Sequence, residues 1–195
     1  MSELFSIQLQ NRQQQGRDGV WLDLPTTTEQ VQAALRQIGI SSDNPQGLFI
    51  SGYFAEEGKR FAIPYNMVLA SNVDELNFLA ARLETLSAGG RAELNAALQA
   101  PQSELFSIGR ITDFPENVDY YMHLPDVRGP AQLGDYYLNR SGMVDMPEEW
   151  KSGIDTAQFG RYVAQQEQGV FTEYGYLVKS GDAWQKVHEG QPVPE

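Results

Sequence analysis

The sequence contains no cysteine, so neither a disulfide framework nor a thiolate metal site can form, which suits a reducing compartment. Histidine occurs twice, as His123 and His188, and that spacing builds neither a His-x3-His metal pair nor a Ser-His-Asp arrangement. Cations are scarce: 14 Lys and Arg stand against 26 Asp and Glu, a net charge of -12. Such a field repels duplex DNA and anionic lipid and draws basic partners. The few cations neither cluster nor interleave with aromatics, as a nucleic-acid binder requires. No apolar run approaches the roughly 18 residues of a membrane span, and the opening MSELFSIQLQNRQQQ lacks the basic start and apolar stretch of a secretion signal. The expectation is a soluble cytoplasmic protein with no cofactor and no metal.

What is present is a long chain with a usable core: 195 residues, 41% of them hydrophobic, enough for one large domain or several small modules. An internal repeat organises it. Ser2-Glu3-Leu4-Phe5-Ser6-Ile7 returns letter for letter as Ser103-Glu104-Leu105-Phe106-Ser107-Ile108, and Trp21-Leu22-Asp23-Leu24-Pro25 is echoed by Tyr121-Met122-His123-Leu124-Pro125. Both pairs are separated by about 100 residues, far above solenoid periods, which predicts two related modules with a segment between them.

In the first module, 1–61, Leu4 to Leu9 and Val20 to Leu24 read as strands flanking a polar turn. Thr26 with Glu29 reads as a capping box opening a helix with Val31, Ala34, Leu35 and Ile38 on one face and Gly39 at its end. Gly47 to Phe54 reads as a third strand. In the middle segment, 62–102, Asn72 caps a helix whose Leu76, Leu79, Ala80, Leu83 and Leu86 share a face. Gly89-Gly90 reads as the break before a second helix with Ala92, Leu94, Ala97 and Leu98 as its stripe. The last module, 103–179, repeats strand, strand, helix, and then inserts further helices before a strand over Val170 to Val178. A Pro- and Gly-containing tail, 180–195, follows. The predicted class is α+β: two small antiparallel sheet-plus-helix modules flanking a short helical module, elongated overall.

No enzymatic constellation emerges. Gly52 to Lys59 has five residues between its glycines, and Arg60 stands where a phosphate loop places Ser or Thr, so it reads as a turn. The neighbouring carboxylates Glu56-Glu57, Asp74-Glu75 and Glu148-Glu149 cannot converge on one substrate, and acids at helix starts are explained by the macrodipole. The chain reads as a non-enzyme. The aromatics Tyr120, Tyr121, Tyr136, Tyr137, Phe159, Tyr162, Phe171, Tyr174 and Tyr176 suit the core of the last module, with a minority suited to a self-complementary dimer patch.

The most specific stretch is Leu133 to Leu177. Its order is Leu133-Gly134, then Tyr136-Tyr137-Leu138, a Pro147-Glu148-Glu149-Trp150 turn, a helix with Gly160-Arg161-Tyr162, and Gly169-Val170-Phe171-Thr172 running into Tyr174-Gly175-Tyr176. Together with the Trp21 to Pro25 segment and Asp74 to Leu83, this order resembles the ArdA family of antirestriction proteins across nearly the whole chain. The resemblance implies a three-module, usually dimeric protein whose acidic surface imitates bent duplex DNA. Such a surface occupies the DNA groove of type I restriction-modification enzymes, at their methyltransferase core, without catalysis.

Charge is weighted toward the end of the chain: residues 1–102 hold 11 acids against 7 bases, and residues 103–195 hold 15 against 7. Asp113, Glu116, Asp119, Asp126, Asp135, Asp145, Glu148, Glu149, Asp155 and Glu167 are therefore the candidate partner-binding carboxylates. B-form DNA carries one charge per about 1.7 Å, so two copies of a -12 chain match about 40 Å of duplex at most. The competing reading is an acidic interaction module for another basic protein.

Overall fold

The computed structural model describes residues 4–14, 18–41, 46–56, 61–101 and 103–187. Contacts divide the chain into two compact units. The class is α+β, with two small antiparallel sheets and eight α-helices among the described residues.

The first unit comprises residues 1–87, 105–115 and 186–195. Its sheet is built on β1 (Phe5–Asn11), which pairs antiparallel with both β2 (Val20–Leu24) and β3 (Leu48–Phe54). Alternation sets the faces: Phe5, Ile7, Leu9, Leu22, Leu24 and Ile50 are buried, while Trp21 and Asp23 are exposed. The helix α1 (Thr28–Gln37) follows β2. Its capping box lies one residue later than expected: Thr27 Oγ1 accepts from Gln30 N at 3.4 Å, and Gln30 Oε1 accepts from Thr27 N at 3.2 Å. Gly39 turns the chain at φ +70°, as its position past the helix predicts.

A short α2 (Tyr65–Leu69) leads to α3 (Val73–Glu84), which Asn72 caps by accepting from Glu75 N at 2.8 Å. Leu76, Leu79, Ala80 and Leu83 are fully buried, the stripe the periodicity predicts. Asn77 exchanges two hydrogen bonds with the Thr26 backbone, at 2.7 and 3.0 Å, fixing α3 against the turn after β2. The last helix of this unit, α5 (Ile108–Asp113), packs on α3.

The second unit comprises residues 88–104 and 116–185. The helix α4 (Ala88–Gln99) begins before Gly89-Gly90, so these glycines sit in its first turn rather than breaking the preceding helix. That helix ends at Glu84, where Thr85 Oγ1 bonds back to Arg82 O at 2.7 Å. Of the expected stripe of α4, Leu94 and Ala97 are buried and Ala92 and Leu98 half-buried, while Asn95 and Ala96 are buried as well; the helix packs on a sheet. In that sheet β6 (Gly175–Lys179) is central between β4 (Tyr121–Leu124) and β5 (Val170–Thr172). The single strand expected over Val170 to Val178 is thus a hairpin: Thr172 pairs with Gly175, whose φ of +127° reverses the chain.

The repeat holds in part. The segment echoing Trp21 to Pro25 does form a strand, β4, followed by α6 (Pro130–Asp135). Ser103 to Ile108, however, is no strand. Ser107 caps α5 by accepting from Arg110 N at 3.3 Å, whereas in the other copy Ser6 lies within β1 and donates to Asp23 at 2.6 Å. A strand requires a partner edge, and identical letters do not supply one.

Beyond β6, Asn117 brackets Gln185, donating to its carbonyl at 2.9 Å and accepting from its N–H at 2.7 Å, while Trp184 stacks edge-on against Tyr120 at 5.1 Å. Residues 188–195, with His188, lie outside the described residues, as do residues 57–59 of the Gly52 to Lys59 segment, whose first three residues belong to β3 rather than to a turn.

Candidate functional site

The acidic stretch is mounted on two helices that touch through glycine. Pro130 at the first position of α6 presets its φ. The helix ends in a π turn over Tyr136–Arg140, closed by Ser141 N donating to Tyr136 O at 2.8 Å. Opposite it runs α8 (Thr156–Glu167), capped by Asp155, which accepts from Gln158 N at 2.9 Å. A Cβ on Gly134 would stand 1.9 Å from Thr156 O, and one on Gly160 would stand 1.8 Å from Pro130 O. Only two glycines permit this approach.

Around the crossing, Leu133, Tyr137, Ala164, Val127, Tyr176 and Val178 form one buried cluster, with Phe159 and Phe171 against it. The aromatics of this segment are thus chiefly core, although Tyr162 is exposed. His123 belongs to the same framework: it sits in β4 with Nε2 2.9 Å from Tyr174 O.

The ten candidate carboxylates separate by environment. Glu116, Asp119, Asp126, Asp145, Glu148, Glu149 and Asp155 are exposed, and all lie in the second unit. Asp135 is half-exposed, accepting from Asn139 at 2.9 Å and pairing with Arg140 at 3.3 Å. Two candidates are structural in their contacts. Asp113 is buried in the first unit and accepts from Val187 N at 3.3 Å. Glu167 is clasped, Oε1 accepting from Tyr137 at 2.5 Å and Oε2 from Tyr176 at 2.9 Å. Burial, with the Glu167 carboxylate as the next cause, pushes both phenols up.

Glu148 and Glu149 stand on α7 (Glu148–Lys151), whose N-cap is Pro147. Lys151 bonds Glu148 at 2.7 Å and its side chain is only 14% exposed, whereas that of Glu148 is 81% exposed. The cation therefore folds down and the carboxylate stays in view. The second unit as a whole holds thirteen acids and six bases.

One acid that sequence reasoning missed is Glu93, on α4. Its Oε1 is buried without a hydrogen-bond partner, and burial, then the charge of Asp119, pushes its carboxyl up to about 8. Its position beside Leu94 in an Ala-rich helix carried no signal of this. At neutral pH Glu93 is largely uncharged, so the surface is slightly less negative than the formal charge.

No group of three or more His, Cys, Asp or Glu side chains placed to hold a metal occurs among the described residues. A concavity in the first unit is lined, among the described residues, by Gln32, Leu35, Arg36, Gly39, Ile40 and Ser41, none of them a carboxylate. Among the described residues no helix is long and apolar enough to cross a membrane.

Comparison with known proteins gives one identification. No curated protein matches the sequence at a significant level. The family model described as antirestriction protein (ArdA) matches residues 15–178 of the 195, a span that begins after β1 and includes the glycine crossing. The chain belongs to the ArdA family of antirestriction proteins.

Proposed function

We propose that this chain is a DNA mimic that occupies the DNA groove of a type I restriction-modification enzyme, at its methyltransferase core, acting in the cytoplasm as a homodimer and without catalysis. The observation that carries this reading is the imbalance of exposed charge between Glu116 and Asp155. Seven exposed carboxylates lie there, and the cations are Arg128, Arg140 and Lys151, of which Arg140 is engaged by Asp135 and Lys151 by Glu148. A groove built to receive phosphates is lined with Lys and Arg, and such a surface offers it the same charge without a nucleic acid.

Asp113 and Glu167 are left out of this proposed surface, since one is buried and the other is held by two tyrosines. Exposed ion pairs contribute about 0.2 to 1 kcal/mol each, so affinity comes from number. The test is competition: the purified chain should displace duplex DNA from a type I methyltransferase core, and should bind no DNA itself. Undiminished DNA binding by that core at large excess of the chain, in low salt, would sink the reading.

A further inference from the structure

The open face of the first sheet carries an arrangement that the acidic surface does not use. Register places Trp21, Gln8 and Gly52 in one row across β2, β1 and β3, and Asp23, Ser6 and Phe54 in another. The opposite faces of these strands form the core, so these rows look outward: Trp21 is 50% exposed and Phe54 58%. A Cβ added at Gly52 would stand 2.9 Å from Trp21 Cη2 and 3.1 Å from Gln8 Cβ. Since β2 and β3 are each one strand spacing from β1, the indole reaches roughly 10 Å across the sheet. It reaches past Gln8 so that its Cη2 end rests at the bare backbone of Gly52, where a side chain would collide with it, while half of the residue stays exposed.

Asp23 lies two residues along β2 on the same face, about 6.7 Å from Trp21 by strand rise. Its carboxylate accepts from Ser6 Oγ at 2.6 Å, which fixes it in place. That bond uses one of about four acceptor positions, and Asp23 forms no ion pair among the described residues. A supported indole beside an oriented, unpaired carboxylate suits a planar cation: the guanidinium stacks on the ring and directs an N–H to the carboxylate. The same sheet already displays this chemistry internally, with the Arg12 guanidinium 5.3 Å from the centre of Phe49.

We propose that Trp21 and Asp23 form a docking site for an exposed arginine of a basic protein partner. Arginine is favoured over lysine because only the guanidinium both stacks flat and forks toward a carboxylate. The site stands independently of the acidic surface, and the net charge of -12 draws such partners toward the chain.

The test follows the indole N–H resonances of the full-length chain during titration with acetylated tetra-arginine amide and, at matched charge, acetylated tetra-lysine amide. The chain has three tryptophans, and Trp21→Phe assigns the relevant signal. The Trp21 signal should shift saturably, with about threefold tighter apparent binding for the arginine peptide, the scale of an exposed cation–π contact. Asp23→Asn should weaken that binding about threefold, while joint neutralisation of Glu148, Glu149 and Asp155 should leave the Trp21 shift in place. Equal affinity for the two peptides, indifference to Asp23→Asn, or shifts confined to Trp150 and Trp184 would overturn the proposal. The probe is a peptide, so the result is distinguishable from success or failure of restriction inhibition.

Discussion

Gly134 and Gly160 meet backbone to backbone where α6 crosses α8, close enough that a methyl on either would stand within 2 Å of a carbonyl oxygen on the other helix, Thr156 O or Pro130 O. The obstacle is main chain, which cannot rotate away. Gly134→Ala or Gly160→Ala must therefore push the helices apart and open the cluster around Leu133 and Tyr137. The expected cost is about 3 kcal/mol, the upper end of overpacking, seen as a lowered urea midpoint. A change near zero in either variant would mean that the helices are further apart than described.

Glu167 closes the same packing from the other side, accepting from both Tyr137 and Tyr176. Glu167→Gln presents an amide N–H₂ to one of two hydroxyl donors, so one bond is lost or reversed. A loss of about 1 to 3 kcal/mol is expected. Inhibitory potency per folded molecule should stay unchanged, because the carboxylate faces inward. Chemical unfolding and a competition assay on the same preparation separate the two effects.

Glu93 gives the fold a pH dependence. Its folded pKa of about 8 lies above the unfolded value of 4.5, so between these values the folded chain holds a proton that the unfolded chain has lost. By linkage, stability falls as pH rises through that window and levels off above about pH 8. Glu93→Gln keeps the neutral form at every pH. The variant should match the parent in melting temperature near the acid edge of the window and exceed it above pH 8. Parallel melting curves across that range would assign Glu93 a solvated carboxylate instead.

What was legible in the sequence was what local chemistry decides. Asn72 announces its helix because a cap is a bond between a side chain and an N–H three residues on. The Leu76, Leu79 and Leu83 stripe follows from period alone. Features set by distant partners were not legible. Ser2 to Ile7 and Ser103 to Ile108 share six letters, yet only the first copy, from Phe5 on, finds strands to pair with. Asp113 sits among acids that face solvent, but its side chain turns inward to a backbone N–H 74 residues later. Gly134 and Gly160 were visible as letters of a family-like pattern; their cause, a helix crossing without side chains, needed coordinates.

The central claim is that exposed carboxylates of the second unit stand in for phosphates. Its most direct test is the salt dependence of inhibition, measured as displacement of duplex DNA from a type I methyltransferase core over about 50 to 200 mM salt. The comparison is the parent chain, each of Glu148→Gln, Glu149→Gln and Asp155→Asn, and the three together. Asn still caps a helix, so stability should stay nearly constant throughout. The expected result is steep salt dependence in the parent, near-silence of each single change, since an exposed pair contributes about 0.2 to 1 kcal/mol, and weaker inhibition with a flatter slope in the triple variant. An unchanged slope in the triple variant, or abolition of inhibition by one substitution in a folded chain, would contradict it.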